Sequence, residues 1–226
     1  MRKKHTYTLA ALLALVLTGG ATAHAVSPAL RVPGTVPGQN APAVVPSSNN
    51  EPVMGSAQAP LTLYYWHDFQ CPDCDRFDTQ TLPAIVADYV KTGKLRIVFK
   101  DFVIFGADSD TAAEVSRAVW AVAPSKYYEW QHTIYQRQGT PRSGWASRAG
   151  LLAITRTVPG IDVTKVSALL DLNAAAYRAS ADADHAEGQR FGIKGTPGFW
   201  IDGQAFSGAQ PLNLFRQILN ADLVRR

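Results

Sequence analysis

The chain has 226 residues, of which 22 are Lys or Arg and 18 are Asp or Glu. Residues 1–25 contain Arg2, Lys3 and Lys4 and no acidic residue, which leaves 19 basic against 18 acidic side chains in the rest of the chain. A net charge of about +1 argues against a nucleic acid or a charged membrane surface as the partner. Residues 60–226 are enough for one domain with a proper core.

The first 25 residues predict a secretory signal. A basic start is followed by an apolar run over residues 9–17 and by Ala23-His24-Ala25, which fits a cleavage site before Val26. The apolar run is shorter than the roughly 20 residues that span a bilayer. An uncleaved anchor that tethers the chain to a membrane is the alternative. We expect an extracytoplasmic protein, in the periplasm or cell envelope, where a disulfide can persist.

Residues 26–59 change abruptly in composition, to Pro, Gly, Ala, Val, Ser and Asn without apolar periodicity. This pattern predicts a disordered linker. Nothing in it favours a dimerisation domain, so we expect a monomer.

A strand, a helix and a second strand are predicted next. Residues 61–67 form an aromatic-rich strand, residues 71–92 a helix that is bent or restarted at Pro83 and ends at Gly93, and residues 95–100 the second strand. This succession indicates a βαβ unit with a parallel strand pair. Lys100 and Asp101 are interpreted as a strand-end ion pair or part of a groove rim.

A block of helices follows, and we expect it over residues 107–191. Ser109 or Asp110 can cap its first helix, which runs to residue 123, and Pro124 opens the second. Further helices are predicted near residues 145–157, 162–172 and 174–190.

The chain then returns to short strands. Residues 198–201 and 204–207 flank Asp202-Gly203, a two-residue hairpin signal. Pro211 opens a last amphipathic helix.

The two cysteines of the chain, Cys71 and Cys74, lie between the first strand and the first helix. Sulfurs three residues apart in a first helical turn can form a small disulfide, and the free N–H groups and dipole of the helix end stabilise a thiolate there. This arrangement favours thiol–disulfide exchange.

Three other roles for the pair are weaker. A structural disulfide gains more from a long loop than from this minimal one. Zinc needs four ligands, and no second Cys or His pair at ligand spacing follows, so we expect no metal. Covalent haem attachment needs His after the second Cys, where the chain has Asp75. Lone histidines such as His67, His132 and His185 are interpreted as structural.

Four stretches resemble the DsbA-like thiol–disulfide oxidoreductases, in family order and over about residues 60–222. They are Trp-His-Asp-Phe-Gln-Cys-Pro-Asp-Cys at 66–74, Val-Phe-Lys-Asp-Phe at 98–102, Gly-Ile-Lys-Gly-Thr-Pro-Gly-Phe at 192–199 and Ser-Gly-Ala-Gln-Pro at 207–211. The resemblance implies an α/β protein with a thioredoxin fold, a central mixed sheet, and an inserted helical domain.

The resemblance also implies site roles. Cys71 is the expected nucleophile and Cys74 the resolving thiol, with their disulfide as the redox group and no other cofactor. Thr196 and Pro197 match the family's cis-proline loop, where the backbone of Thr196 would pair with an extended substrate.

Two features depart from the family pattern. Tyr65 stands where many members of the branch have a buried acid that assists proton transfer at the resolving cysteine, and a tyrosine hydroxyl is a poor base at neutral pH. Asp68 lies on the same side of the motif and is a further candidate to modulate the site. Asp73, next to Pro72 between the cysteines, and Asp75 place negative charge beside the Cys71 thiolate, which predicts a weaker oxidant than members with His there.

The sequence thus predicts an exported oxidoreductase that forms disulfides in unfolded or cysteine-containing extracytoplasmic proteins. The resemblance implies recycling by a membrane redox partner. The alternatives are a reductase or isomerase of the same fold, or a non-catalytic holdase whose Cys pair is a plain staple.

Overall fold

A five-stranded sheet forms the centre of the computed structural model, which describes residues 45–47 and 50–226. The strands lie in the order β1-β3-β2-β4-β5, and of these neighbours β2 and β3 are parallel while the others are antiparallel. The mixed sheet expected from the resemblance is therefore present. The strands are β1 (Val53–Met54), β2 (Leu61–His67), β3 (Leu95–Asp101), β4 (Gly198–Ile201) and β5 (Gln204–Ser207).

The parallel strands β2 and β3 have their carboxyl ends side by side. Their register runs from Leu61 opposite Leu95 to His67 opposite Asp101. The segment that carries the two cysteines continues from the carboxyl end of β2, so the next helix begins close to the carboxyl ends of both strands.

That helix is one helical run over residues 72–90, in which α-helical and π-helical stretches alternate with three changes of pitch. It consists of α1 (Pro72–Arg76), a π-helical stretch (Phe77–Thr81), α2 (Leu82–Ile85) and a second π-helical stretch (Val86–Val90). Pro83 is in the first turn of α2, where its missing N–H is tolerated, so the predicted restart is confirmed. Gly93, with φ of 73°, ends the run.

The helical block lies between β3 and β4. It contains α3 (Ala107–Val122), a 3-10 turn (Pro124–Lys126), α4 (Tyr127–Gln136), α5 (Arg148–Thr155) and α6 (Val163–Arg190). The prediction of separate helices over 162–172 and 174–190 is wrong, because no Gly or Pro separates them and α6 continues through Asn173. Asp162 caps α6 by accepting a bond from the N–H of Lys165 at 3.1 Å.

The start of α3 also differs from the prediction. Gly106 precedes the helix and accepts bonds from the N–H groups of Ser109 and Asp110 through its carbonyl. The Ser109 hydroxyl does not cap the helix. It donates instead to the carboxylate of Asp68 at 2.7 Å.

The last elements agree with the sequence. Asp202 and Gly203 have φ of 45° and 86°, as a type I′ turn between β4 and β5 requires. Pro211 directly precedes α7 (Leu212–Val224).

The predicted linker over 26–59 is wrong at its C-terminal end. Val53 pairs with Val98 in β3, and Glu51 accepts a bond from the Lys100 ammonium at 3.0 Å. A short strand and one buried ion pair therefore bring residues 50–59 into the domain despite their polar, Pro-containing composition. The predicted signal and most of the linker lie outside the described residues.

Each face of the sheet has its own hydrophobic cluster, because side chains alternate along a strand. Leu63, Tyr65, Ile97 and Phe99 face the helical run 72–90, α7 and the first helices of the block. The opposite face carries a smaller cluster, namely Tyr64, Trp66, Val98, Phe102, Ile193 and Trp200. None of the helices in the described part of the chain combines the length and the hydrophobicity that a membrane span requires.

A buried charge cluster lies beside this smaller cluster. The Lys100 ammonium contacts Asp184 at 2.9 Å, Glu187 at 2.8 Å and Glu51 at 3.0 Å. Arg117 of α3 bridges Asp184 and Asp101. The interpretation of Lys100 and Asp101 as a strand-end ion pair is wrong, since each pairs with other elements. The cluster instead ties β3, α3, α6 and the segment before β1 together.

Candidate active site

Cys71 occupies the N-cap position of α1. Its backbone is extended (φ −74°, ψ 119°), and Pro72 begins the helix, where it needs no N–H partner. The Cys71 carbonyl accepts bonds from the N–H groups of Cys74 and Asp75, both at 3.1 Å. Because the first-turn N–H groups point out of the helix end, they face the Cys71 sulfur and favour its thiolate.

The two thiols have opposite acidities. Hydrogen bonding from Cys74 lowers the pKa of Cys71 to about 7; burial opposes this effect, and Thr196 and the N–H groups of Cys74 and Asp73 assist it. Burial raises the pKa of Cys74 well above its usual range, and the neighbouring Cys71 raises it further. Cys71 is 5 % exposed and Cys74 is fully buried. Near neutral pH Cys71 is therefore partly ionised to a reactive thiolate, whereas Cys74 stays a protonated thiol.

The loop before β4 closes the site from the other side. The Thr196–Pro197 peptide bond is cis, as the resemblance implies. The Cys71 thiol donates to the Thr196 carbonyl at 3.4 Å. The Thr196 hydroxyl is buried without a hydrogen bond in the described part of the chain, and it lowers the pKa of both cysteines.

Asp68 is a structural anchor with no bond to either sulfur among the described contacts. Its carboxylate accepts bonds from the N–H groups of Gln70 at 2.8 Å, Ile104 at 2.8 Å and Phe105 at 3.2 Å, and from the Ser109 hydroxyl. Burial raises its pKa, while these bonds lower it. The carboxylate fixes the cysteine segment to the start of α3.

Asp73 and Pro72 lie on the outer side of the site. The Asp73 carboxylate is half exposed and bonds to the Arg76 guanidinium at 2.7 Å. The positive partner offsets the charge of Asp73 at the Cys71 thiolate. The electrostatic effect assigned to Asp73 from the sequence is therefore smaller than a free carboxylate would give.

Tyr65 is buried in the face of the sheet that lies under α1. Its ring stacks on Phe199 with centroids 5.1 Å apart. Its hydroxyl has no hydrogen bond among the described residues. Burial raises the pKa of Tyr65 well above its usual range, and the charges of Cys74 and Asp78 raise it further. The Tyr65 hydroxyl therefore stays protonated near neutral pH.

Sequence reasoning missed several polar groups around the site. The buried Asp78 carboxylate bonds to Gln131 at 2.9 Å and to His132 at 2.7 Å. Gln138 donates to the carbonyls of Phe69 and Cys71 at 2.8 and 3.1 Å. The spacing of four residues from Cys74 could have placed Asp78 on the same helical face. No local signal identifies Gln138, which lies two residues after the end of α4.

His67 does not stabilise the thiolate. It is buried, its Nδ1 lies 2.9 Å from the Tyr135 hydroxyl, and burial lowers its pKa to about 3. His67 is thus uncharged and packs in the core, in agreement with the packing interpretation. His185 stacks on Phe102 with centroids 3.9 Å apart.

A depression of about 470 Å³ runs along the approach to the cis-proline loop. It is lined by the segment after β3, the end of α6 and the residues before Thr196, namely Phe102, Ile104, His185, Gln189, Gly192, Ile193 and Lys194. Its lining contains neither cysteine, and it is connected to the cis-proline loop through the chain that continues from Lys194 to Thr196. No cluster of three or more His, Cys, Asp or Glu side chains suited to a metal ion occurs within residues 45–47 and 50–226.

The fold and this site define a thiol–disulfide oxidoreductase with a thioredoxin fold. The chain belongs to the thioredoxin family, whose model, described as Thioredoxin, matches residues 47–221. The DsbA-like resemblance and the thioredoxin fold predicted from the sequence are confirmed.

Curated relatives and solved structures agree with this assignment. Disulfide bond formation protein D of Bacillus subtilis is 23% identical over 189 residues, 84% of each chain. Probable disulfide bond formation protein D of Bacillus cereus is 28% identical over 151 residues, 66% of this chain and 69% of that protein. The crystal structure of oxidised BdbD from Bacillus subtilis has a TM-score of 0.71 at 22% identity and covers 79% of this chain and 95% of that one. The crystal structure of Chlamydia trachomatis DsbA has a TM-score of 0.68 at 18% identity, and the match covers 78% of this chain and 93% of that one.

Proposed function

We propose that this protein forms disulfides in unfolded or cysteine-containing extracytoplasmic proteins, through exchange at Cys71. The observation that carries the proposal is the asymmetry of the pair, since the pKa of Cys71 is lowered to about 7 while burial holds Cys74 protonated. The names of the Bacillus relatives support disulfide formation as the direction of exchange.

The reaction proceeds in two exchanges. A substrate thiolate attacks Cys71 in the Cys71–Cys74 disulfide, the S–S bond breaks, and the electron pair goes to Cys74, which takes up a proton. A second substrate thiolate then attacks the substrate sulfur of the mixed disulfide and releases Cys71 as a thiolate. The substrate is oxidised by two electrons, and the enzyme is left as a dithiol. Because the stable thiolate is Cys71, it is the favoured leaving group in the second exchange.

The cis-proline loop and the adjacent depression supply substrate binding in this proposal. The Thr196 backbone lies beside the Cys71 sulfur, where an extended substrate segment can pair with it. Side chains of the substrate would then enter the depression next to Ile104 and Ile193. The protein acts as a monomer, is exported by residues 1–25, and is reoxidised by a membrane redox partner.

A reduced peptide with two cysteines tests the proposal. The oxidised chain should convert it to the cyclic disulfide with one equivalent of enzyme dithiol formed, and Cys71→Ser should be inactive. A chain whose Cys71→Ser, Cys74→Ser double variant keeps full function in cells would be a holdase, and the proposal would then be wrong.

A reductase or isomerase is the second candidate, because a pKa of about 7 for Cys71 is close to that of thioredoxin. Rapid reduction of a protein disulfide by the dithiol form, with poor oxidation of the peptide, would favour this candidate over the first.

A further inference from the structure

Gln138 bonds directly to the backbone of the segment that carries the reactive cysteine. It lies two residues after the end of α4, and its Nε2 donates to the carbonyl of Phe69 at 2.8 Å and to that of Cys71 at 3.1 Å. A side-chain amide nitrogen has two N–H groups, and each of them has one of these acceptors. Because carbonyl oxygens accept bonds and do not donate them, this pair of acceptors fixes the orientation of the amide. Gln138 therefore bridges the two ends of a three-residue segment.

The backbone around Gln138 is itself fixed. The Gln138 N–H donates to the carbonyl of Tyr135, in the last turn of α4, at 3.0 Å. Tyr135 is buried, and its hydroxyl donates to the Asp68 carbonyl at 3.3 Å. Four residues after Gln138, the Arg142 N–H donates to the side-chain oxygen of Gln70 at 2.6 Å. Together with the two bonds of the Gln138 amide, these contacts tie the helical block to four consecutive residues that end at the nucleophile.

The turn after Gln138 contains a strained residue. Arg142 has φ of 63°, a conformation that is unfavourable for residues other than glycine. Its N–H contact is continued by Gln70, whose amide donates to the Ser109 hydroxyl at 2.8 Å. Strained residues persist where their surroundings hold them, and they cluster at functional sites. The strain here lies in a turn that contacts the cysteine segment, which supports a functional role for the turn.

The Cys71 carbonyl is the atom through which Gln138 acts on the site. Cys71 is the N-cap of α1, and its carbonyl also accepts bonds from the N–H groups of Cys74 and Asp75, both at 3.1 Å. The side chain of an N-cap residue faces the first-turn N–H groups, which stabilise a thiolate. A third donor holds the carbonyl in this geometry and offsets the partial negative charge of its oxygen. Loss of that donor therefore disfavours the thiolate.

We propose that Gln138 is a positioning residue for the exchange reaction, which holds Cys71 in the N-cap geometry that favours the thiolate form of its sulfur. The inference rests on the proposed function. Gln138 acts through the backbone of Cys71, because its amide bonds to the carbonyl and not to the sulfur. The inserted helical block thus supplies the group that orients the nucleophile.

Reaction of the reduced full chain with an aromatic disulfide follows Cys71 in its first step. The Cys71 thiolate attacks the S–S bond of the reagent, forms a mixed disulfide and releases one coloured aromatic thiolate. Because only the thiolate attacks, the rate of this step against pH reports the pKa of Cys71. Cys71→Ser should lack the step, since Cys74 is buried and its pKa is raised. The ultraviolet absorbance of the thiolate gives the pKa of Cys71 independently.

Gln138→Met keeps the length of the side chain and removes both N–H groups. We expect the pKa of Cys71 to rise from about 7 to about 7.5–8. At about pH 6 the smaller thiolate fraction should slow the first step about 2–3-fold. At about pH 9 most of the sulfur is ionised in both proteins, and the variant should react about 2–3-fold faster, because a thiolate of higher pKa is the better nucleophile. The two rate–pH curves should therefore cross.

Two further variants isolate the donor. Gln138→Lys keeps a donor of similar reach and adds a positive charge, so the pKa of Cys71 should stay at or below about 7. The matched control is Gln136→Met, the same substitution two residues earlier. Gln136 is exposed and bonds to His132 Nε2, so its variant should give the wild-type rate–pH curve.

The wild type and the variants share the other charged and titratable groups around Cys71. They are Asp73 with its partner Arg76 and Cys74 on the helical run, Asp68 in the preceding segment and Tyr135 on α4, while the cis-proline loop contributes the uncharged Thr196. The pKa values of Cys74 and Tyr135 are raised well above their usual ranges, so neither group titrates in this interval. A difference between the curves is therefore a difference at Cys71.

Coincident curves for Gln138→Met and the wild type would overturn the inference and leave the proposed function intact. Slowing by the same factor at every pH would mean that the amide only supports packing, and would also overturn the inference. If Gln138→Met did not fold, a Cys71 pKa above the wild-type value in Gln138→Lys would have the same consequence. A wild-type chain in which Cys71 does not attack the reagent would overturn the proposed function itself.

Discussion

The lowered pKa of Cys71 makes the stability of the reduced protein depend on pH. The folded value is about 7, against an ordinary value of 9.0. Because the folded state binds this proton less tightly than the unfolded state, the stabilisation is present above pH 9 and is lost as pH falls through 7. The full difference corresponds to about 2.7 kcal/mol. Linkage gives about 2.3 kcal/mol at pH 9 and about 0.4 kcal/mol at pH 7. Cys71 is nearly buried, so solvent screening reduces these values little.

Urea unfolding of the reduced wild type and of reduced Cys71→Ser at several pH values measures how much the Cys71 thiolate contributes to the free energy of unfolding. The difference in free energy of unfolding between the two proteins should rise by about 2 kcal/mol from pH 7 to pH 9, and other titrating groups cancel in the comparison. The ultraviolet absorbance of the thiolate should titrate with a midpoint near 7 in the wild type alone. A difference that stays flat or falls with pH would refute the assignment of Cys71 as the stabilised thiolate.

Three further substitutions test the site and its support. Thr196→Val removes a buried hydroxyl that lowers the pKa of Cys71, so this pKa, followed by thiolate absorbance, should rise. Lys100→Met leaves three carboxylates without their buried cation and should lower the free energy of unfolding, measured with urea, by about 3–5 kcal/mol. Gly188→Ala would place a Cβ 2.8 Å from the Trp66 indole nitrogen, and should cost about 1–3 kcal/mol, measured by the same method.

Each of these has a matched control in the chain. Thr196→Ser keeps the hydroxyl and should retain the wild-type thiolate titration. Lys126→Met removes an exposed ion pair with Glu129 and should change stability by less than about 1 kcal/mol. Gly195→Ala adds a Cβ in open space and should have little effect on unfolding. A control that behaves like its test variant would remove the physical reason given for that prediction.

The site could be predicted from the sequence where its chemistry is local. The spacing of Cys71 and Cys74, the strand before them and the hairpin signal at Asp202-Gly203 are fixed by neighbouring residues. The same local rules failed for α6, because a polar residue such as Asn173 is compatible with either a helix end or a helix interior. Only packing against α3 and the sheet decides between them.

Buried polar groups could not be placed from sequence because their partners are distant in the chain. Lys100 meets Glu51 and Asp184 from 49 and 84 residues away. Each of these charges alone is typical of a solvated surface. The short strand at Val53 was missed for a related reason, since its pairing depends on β3 rather than on its own composition.

The redox potential follows from the same thiolate energetics. At pH 7, a Cys71 pKa of about 7 stabilises the dithiol by about 0.4 kcal/mol, whereas a pKa of about 3.5, as in DsbA, gives about 4.8 kcal/mol. The difference of about 4.4 kcal/mol corresponds to about 90 mV, since 30 mV is about 1.4 kcal/mol for two electrons. Subtracted from about −120 mV for DsbA, it predicts a potential of about −210 mV, measured by equilibration with glutathione buffers. This is an oxidant weaker than DsbA, and the Asp73–Arg76 pair explains why the acid between the cysteines does not lower the potential further. A value near −120 mV would mean that strain in the disulfide state outweighs the thiolate term, and a value near −270 mV would favour the reductase.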